Sequence, residues 1–193
     1  SPLVRNDSLK IEITFERGQA VAIDGKEDSP VAVIQQLQAL AAPFAIGRDI
    51  HVGDTIVGIK GRVGFEAAAP IILIKAHQLL EKHTLSKWQL FQKEQLGQFY
   101  GMQLHEGHYL DPVMRDIEAF LLSSQQTVSG RVAVQLHPYR FELEGIRSDN
   151  DLMQAKFGSY GEMNTAWNAE EAKGFIKVLA TASKVYHSVN KKL

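Results

Sequence analysis

The chain has 193 residues, 45% of them hydrophobic and 22% charged, with a formal net charge of −1. That is enough apolar material for a packed core, and it leaves no field strong enough to draw a nucleic acid or an anionic membrane as partner. With 0 cysteines there is neither a disulfide framework nor a zinc-thiolate site, and no apolar run is long enough to span a bilayer, so the cytoplasm is the expected compartment.

Residues 9–15 alternate Leu9, Ile11, Ile13 and Phe15 with Lys10, Glu12 and Thr14; Arg17-Gly18 turns and residues 19–23 return, which predicts a hairpin. Ser29-Pro30 then opens a helix in which Val31, Ile34, Leu37 and Leu40 recur at helical spacing, ending before Pro43. Over residues 70–99 the apolar residues Ile71, Ile74, Leu79, Leu85, Trp88, Phe91 and Leu96 fit a long, broken helical stretch. Asp111-Pro112 caps a helix running through Ser123 with Val113, Ile117, Phe120 and Leu121 on one face. Residues 131–136 and 140–145 alternate as a second hairpin around His137-Pro138, and Asn168 caps the last helix with Glu170 and Glu171 in its first turn. The order predicts an α+β fold, with antiparallel hairpins forming a sheet packed with helices, in one domain over residues 1–193. Phe175, Ile176, Val178, Leu179, Val185 and Tyr186 make the terminal helix more apolar than water favours, which predicts self-association through it.

Between the first helix and the long helical stretch lies the segment that carries the most information. Glycines 53, 58, 61 and 64 allow positive φ and close backbone approach, and the cations Lys60 and Arg62 alternate between them. This reads as a binding loop, although the same composition fits an ordinary hairpin. Other constellations read more plainly. His105-Glu106-Gly107-His108 lacks the one-turn helical spacing of a zincin pair and falls in a loop, so no metal is expected there. His77 follows an apolar run, as a core or helix-surface histidine does. Phe157-Gly158-Ser159-Tyr160-Gly161-Glu162 lacks the lysine of a phosphate cradle and fits a packing or partner loop, while Lys184, Lys191 and Lys192 fit a solvated face that complements the helix dipole.

Gly58-x-Lys60-x-Arg62, followed by Phe65-Glu66 and His77, resembles the carboxy-terminal half of the argininosuccinate synthase family. So do the strand of residues 9–18, Tyr100-Gly101-Met102-Gln103-Leu104 with Pro112, Gln125-Gln126-Thr127-Val128-Ser129-Gly130-Arg131-Val132, and Ala172-Lys173-Gly174-Phe175-Ile176-Lys177. The family's nucleotide-binding domain opens on a Ser-Gly-Gly-x-Asp-Ser/Thr pyrophosphate loop, and no such motif occurs here. The chain, which begins Ser1-Pro2-Leu3, is therefore expected to be a domain of a longer enzyme.

The resemblance implies a ligase that joins citrulline and aspartate with ATP and releases AMP and pyrophosphate, in which positioning outweighs side-chain acid and base chemistry. It places ATP, Mg and most aspartate contacts in the missing domain. This half is left with part of the pocket for a citrulline-like ureido acid and with subunit contacts in a dimer or tetramer, and it has no catalytic, cofactor or metal residue of its own. A family glutamate and a family tyrosine of that pocket fall on Gly53 and Phe65, which lack the carboxylate and the hydroxyl. Asp54 takes the glutamate's place if the loop shifts by one residue. The implied substrate-binding residues are thus Asp54, Lys60, Arg62, Phe65 and Glu66, and a histidine such as His77 is given a structural role near the active site. The alternative is a non-catalytic binding or assembly module of the same descent, whose pocket has drifted.

Overall fold

The computed structural model describes residues 1–154 and 166–190, which group into two compact units, Ser1–Met153 and Gln154–Leu193. In the first unit, β1 (Leu9–Glu16), β2 (Gln19–Ile23) and β3 (Lys26–Glu27) precede helix α1 (Pro30–Ala41). A separate pair, β4 (Arg48–Asp54) and β5 (Lys60–Glu66), is followed by α2 (Ala68–Thr84), α3 (Lys87–His105), α4 (Pro112–Ser124), β6 (Gly130–His137) and β7 (Arg140–Arg147). The main sheet is antiparallel, in the order β3-β2-β1-β6-β7, so the two predicted hairpins are joined edge to edge by β1 and β6. The fold is the expected α+β combination of antiparallel strands and helices.

Alternation decides which face of this sheet is dry. Ile11 lies opposite Val134 and Ile13 opposite Val132, and with Phe15 and Leu136 they are buried on one side. Lys10, Glu12 and Arg131 alternate to the other side, where Arg131 reaches Glu12 at 3.4 Å and Lys10 pairs with Glu144. Helices α1 and α2 cover the dry face. Ser29 caps α1 by accepting from the Ala32 N–H, and Pro30 supplies the first turn. The buried row of α1 is Val33, Leu37 and Ala41, whereas Val31 and Ile34 are 65% and 43% exposed. Leu37 is common to the predicted and the observed rows, but it is the i, i+4 row through it, not the i, i+3 row, that meets the sheet. On α2 the corresponding row is Ile72, Ala76 and Leu80.

The long helical stretch breaks where the sequence offers a new cap. Ser86 and Gln89 form a reciprocal capping box that starts α3 immediately after α2 has ended at Leu85. Helix α3 packs against α4, where the Tyr100 hydroxyl donates to Glu118 at 2.7 Å. Asp111 caps α4 by accepting from the Val113 N–H at 3.0 Å.

The second unit contains α5 (Ala169–Leu179) and α6 (Thr181–Val189), separated by Ala180, as the carboxy-terminal helical segment. Asn168 and Glu171 form the capping box of α5. Phe175, Ile176, Val178, Leu179, Val185 and Tyr186 are all exposed. The segment of residues 157–162 and Lys191 and Lys192 lie outside the described residues; Lys184 is exposed on α6. No described helix is long and apolar enough to cross a membrane.

Candidate functional site

The glycine-rich segment is a hairpin of two strands. Of its four interior glycines only Gly58 adopts a positive φ, +79°, and it does so in the turn. Gly53, Gly61 and Gly64 are extended strand residues, with Gly53 directly opposite Gly61. The turn is closed by hydrogen bonds from the Thr55 N–H to the Ile59 carbonyl at 2.8 Å and from the Gly58 N–H to the Thr55 carbonyl at 2.8 Å. Where the hairpin leaves the core, Gly47 is held at φ +85°, and a Cβ there would come within 2.6 Å of the Ala68 backbone nitrogen. Only glycine fits that joint. Its carbonyl accepts from the Ala67 N–H at 2.9 Å, which ties the root of β4 to the start of α2.

Paired strand residues share a side of the hairpin, and successive residues alternate sides. Arg48 pairs with Glu66, Val52 with Arg62 and Asp54 with Lys60, so Asp54, Lys60, Arg62 and Glu66 line one face together with Arg48, Ile50 and Val52. Phe65, opposite Asp49, belongs to the other face with His51, Gly53 and Val63. Four of the five sequence-derived site residues are therefore brought together, and the fifth is set back to back with them.

The charged face is organised. Lys60 Nζ donates to Asp54 Oδ2 at 2.7 Å near the tip. At the root Glu66 Oε2 accepts from Arg48 Nε at 3.3 Å. Arg62, midway between the two pairs, makes no ion pair among the described residues, which leaves a guanidinium free to take a carboxylate.

The opposite face holds a feature that composition did not announce. A Cβ added at Gly53 would lie 2.5 Å from His51 Nε2, so the imidazole covers the place where a side chain at position 53 would begin. Once these residues are read as a strand, the signal is simple: residues 51 and 53 are i and i+2 on one side. Asp54 points away from that side and is occupied by Lys60, and the pairing of β4 with β5 is regular from Arg48 to Asp54.

Two other histidines are engaged away from the hairpin. His77 Nε2 donates to Gln125 Oε1 at 2.8 Å, Gln125 Nε2 donates to Glu81 Oε1 at 2.9 Å, and Lys93 Nζ donates to Glu81 Oε2 at 2.8 Å. This part-buried network ties α2 to α3 and to the turn after α4. His108 is hydrogen-bonded to Gln103 in the loop that follows α3, and among the described residues no group of three or more His, Asp or Glu could hold a metal ion.

The family described as Arginosuccinate synthase C-terminal domain matches residues 3–186. An argininosuccinate synthase of Xanthomonas campestris pv. campestris is 38% identical over 185 residues, covering 96% of this chain and 46% of that protein. One from Xylella fastidiosa is 36% identical over 187 residues, 97% of this chain and 46% of the relative, and one from Dictyoglomus thermophilum is 34% identical over 176 residues, 91% and 44%. The chain thus spans about half the length of the relatives it matches. With the family match running through the sheet, the hairpin and the terminal helices alike, the chain belongs to the argininosuccinate synthase family as its carboxy-terminal domain.

Proposed function

We propose that this chain is the substrate-orienting and multimerising half of a cytoplasmic argininosuccinate synthase, and that it is inactive alone. The full reaction would join a citrulline-like ureido acid to aspartate at the expense of ATP, releasing AMP and pyrophosphate. The observation that carries this reading is the hairpin of β4 and β5, which stands out from the core with one charged face and an apolar tip. Ile56, Val57 and Ile59 at the tip are 66%, 78% and 66% exposed, as suits an arm that closes against further protein. On the charged face Arg62 would hold a substrate carboxylate, with Lys60 and Asp54 beyond it and Glu66 fixed by Arg48 behind it. Phe65 would offer its ring to an aliphatic stem from the other side. Positioning of this kind lowers a barrier without acid or base chemistry from the positioning residues.

ATP and Mg do not fit the residues described here. None of the described turns joins a strand to a helix through a glycine-rich phosphate cradle with a following lysine, so both are assigned to the part of the relatives that this chain does not span. The exposed apolar residues of α5 and α6 support a homo-oligomer, dimer or tetramer, held partly through that segment. Isothermal titration of the chain with Mg-ATP tests the division of labour: no tight binding is expected, and a sub-micromolar, Mg-dependent signal would refute it.

A second reading has its own observation. Gly53 with His51 folded over it, and Phe65 without a hydroxyl, alter the positions implied for the ureido-acid pocket, as in a binding or assembly module that no longer turns over. A pyrophosphate-loop domain encoded directly upstream favours the ligase; its absence favours the module.

A further inference from the structure

The face of the main sheet that is turned away from α1 and α2 sets two arginines against each other. Arg131 of β6 is directly opposite Arg147 of β7, so both side chains leave the sheet on the same side. Like charges placed directly opposite destabilise a strand pair. Arg131 is only loosely compensated, by Glu12 at 3.4 Å, and Arg147 makes no ion pair among the described residues. The next row of the sheet is Glu12, Ala133 and Gly145, and Gly145 stands at φ +156° with nothing within 4 Å of the place a Cβ would take. The register shifts between Ala133 and Val134, which makes Glu144 the extra residue of a bulge and lets it pair with Lys10 on the same side as the arginines. The result is a hollow of about 280 Å³, floored by Ala133 and Gly145 and rimmed by Lys10, Glu12, Arg131, Glu144 and Arg147.

The charges of the rim decide what fits. Lys10 neutralises Glu144 and Arg131 neutralises Glu12, which leaves one positive charge, on Arg147. A single carboxylate set between the two guanidinium groups cancels that charge and relieves the repulsion, and their forked N–H donors match its planar acceptor. A phosphate carries a second negative charge, which Glu12 and Glu144 repel. The rest of the ligand is small and uncharged, because the floor beneath it is the methyl group of Ala133 and the bare backbone of Gly145. We propose that this hollow is a binding site for a small monocarboxylate, held by its carboxylate between Arg131 and Arg147 with its uncharged body over Ala133 and Gly145. None of these residues belongs to the β4–β5 hairpin, and the proposal does not depend on the reading of that hairpin.

N-Acetylglycine is a suitable probe, since it carries one carboxylate on a small planar amide. Added to the full chain and followed by backbone-amide NMR, it is expected to give saturable shifts at Ala133, Gly145 and Arg147. N-Acetylglycinamide, which lacks the negative charge, is expected to give none, and potassium phosphate at equal ionic strength is expected to bind at least about tenfold more weakly. Arg131→Gln and Arg147→Gln are each expected to weaken binding of N-acetylglycine at least about tenfold, as loss of one charge-assisted hydrogen bond does. Lys26→Gln, on the exposed strand β3, should leave that binding unchanged. Urea unfolding separates binding from folding: Arg147→Gln removes a like-charge contact and is expected to unfold at the same urea concentration as the unaltered chain or at a higher one. Absence of saturable shifts overturns the proposal, as does binding that survives both arginine variants. Phosphate binding as tight as that of N-acetylglycine shows a general cationic surface and overturns it too. A lower unfolding midpoint in Arg147→Gln would mean that this guanidinium is already satisfied in the folded protein, and the site falls.

Discussion

The strand pair β1–β6 and the strand pair β4–β5 are both antiparallel and both seven residue pairs long in register, yet they are opposites in burial. In β1 every second residue, Ile11, Ile13 and Phe15, is at most 2% exposed, whereas Ile50, Val52 and Val63 of the hairpin are 62%, 59% and 59% exposed. Backbone pairing is therefore not what separates scaffold from arm. The first pair carries two helices on its dry face, and the second carries none. A lone two-stranded hairpin is marginal in water, so its apolar residues make sense as contacts not yet made. The core serves to hold the root of the arm, at Gly47 and Ala67, in one direction.

The comparison can be broken most directly by truncating one apolar residue in each region. Leu37→Ala removes a fully buried side chain between α1 and the sheet and should cost about 2–5 kcal/mol in urea unfolding. Val63→Ala on the hairpin should stay within about 0.5 kcal/mol. Equal costs would mean that the hairpin is packed after all. The glycines give a second contrast of smaller size. Gly47→Ala forces a Cβ into the Ala68 backbone at a positive φ and should destabilise by about 1–3 kcal/mol. At Gly61, which has open space around it, the same change should be neutral or stabilise by up to about 1 kcal/mol. A destabilised Gly61→Ala chain would point to a packed neighbour on that strand.

The charged face sharpens the comparison in function rather than stability. In a full-length protein carrying this chain, Arg62→Ala and Asp54→Asn should leave unfolding unchanged within about 0.5 kcal/mol, since both side chains are exposed. If Asp54 replaces the glutamate that the family pattern places at Gly53, Asp54→Asn should weaken citrulline use at least tenfold, about 1.4 kcal/mol, with ATP affinity unaltered. In the regular register Asp54 faces away from Gly53 and is paired with Lys60, so that outcome requires β4 to slip by one residue. The other possibility is a ureido acid whose α-nitrogen carries no charge, for which the imidazole of His51 over Gly53 leaves a neutral wall. Unaltered citrulline kinetics in Asp54→Asn, together with no turnover of an N-acylated analogue, would remove both and assign the ammonium to another part of the protein.

Much of the scaffold is legible because its signals are local. Ser29-Pro30, Asp111-Pro112 and Asn168 each mark a helix start that the structure uses, and the alternations at residues 9–15 and 131–136 give the buried faces of β1 and β6. That those two strands pair is not legible, since more than a hundred residues separate them and nothing in either names the other. The phase of α1 is missed for a related reason: Val31 and Val33 are equally apolar, and only the position of the sheet decides which is buried. In the site, the residue types are found but their sides are not. Glycine at 53, 61 and 64 suppresses the alternation that would have identified two strands, and with it the separation of Phe65 from Asp54, Lys60, Arg62 and Glu66.

The last expected effect belongs to the scaffold, and it is a dependence on pH. His77 is part-buried between Phe15, at 5.6 Å between ring centroids, and Gln125. Its Nδ1 lies 3.8 Å from the Glu81 carboxylate, too far for a hydrogen bond, and that carboxylate is already satisfied by Lys93 and Gln125. Burial therefore lowers the His77 pKa below its ordinary 6.5, against a smaller opposing pull from Glu81, while Lys93 adds to the lowering. In the unfolded chain the same ring takes a proton near 6.5, so below that pH the unfolded state binds more protons than the folded state. Stability then rises with pH through the window beneath 6.5 and is lost as pH falls through it, at no more than about 1.4 kcal/mol per pH unit for one group. His77→Gln keeps an N–H donor for Gln125 but cannot titrate. Urea unfolding of the two chains from neutral pH downward should show a shallower decline in the variant. Parallel curves would mean that the folded protein protonates His77 as readily as water does, with Glu81 and not burial governing the ring.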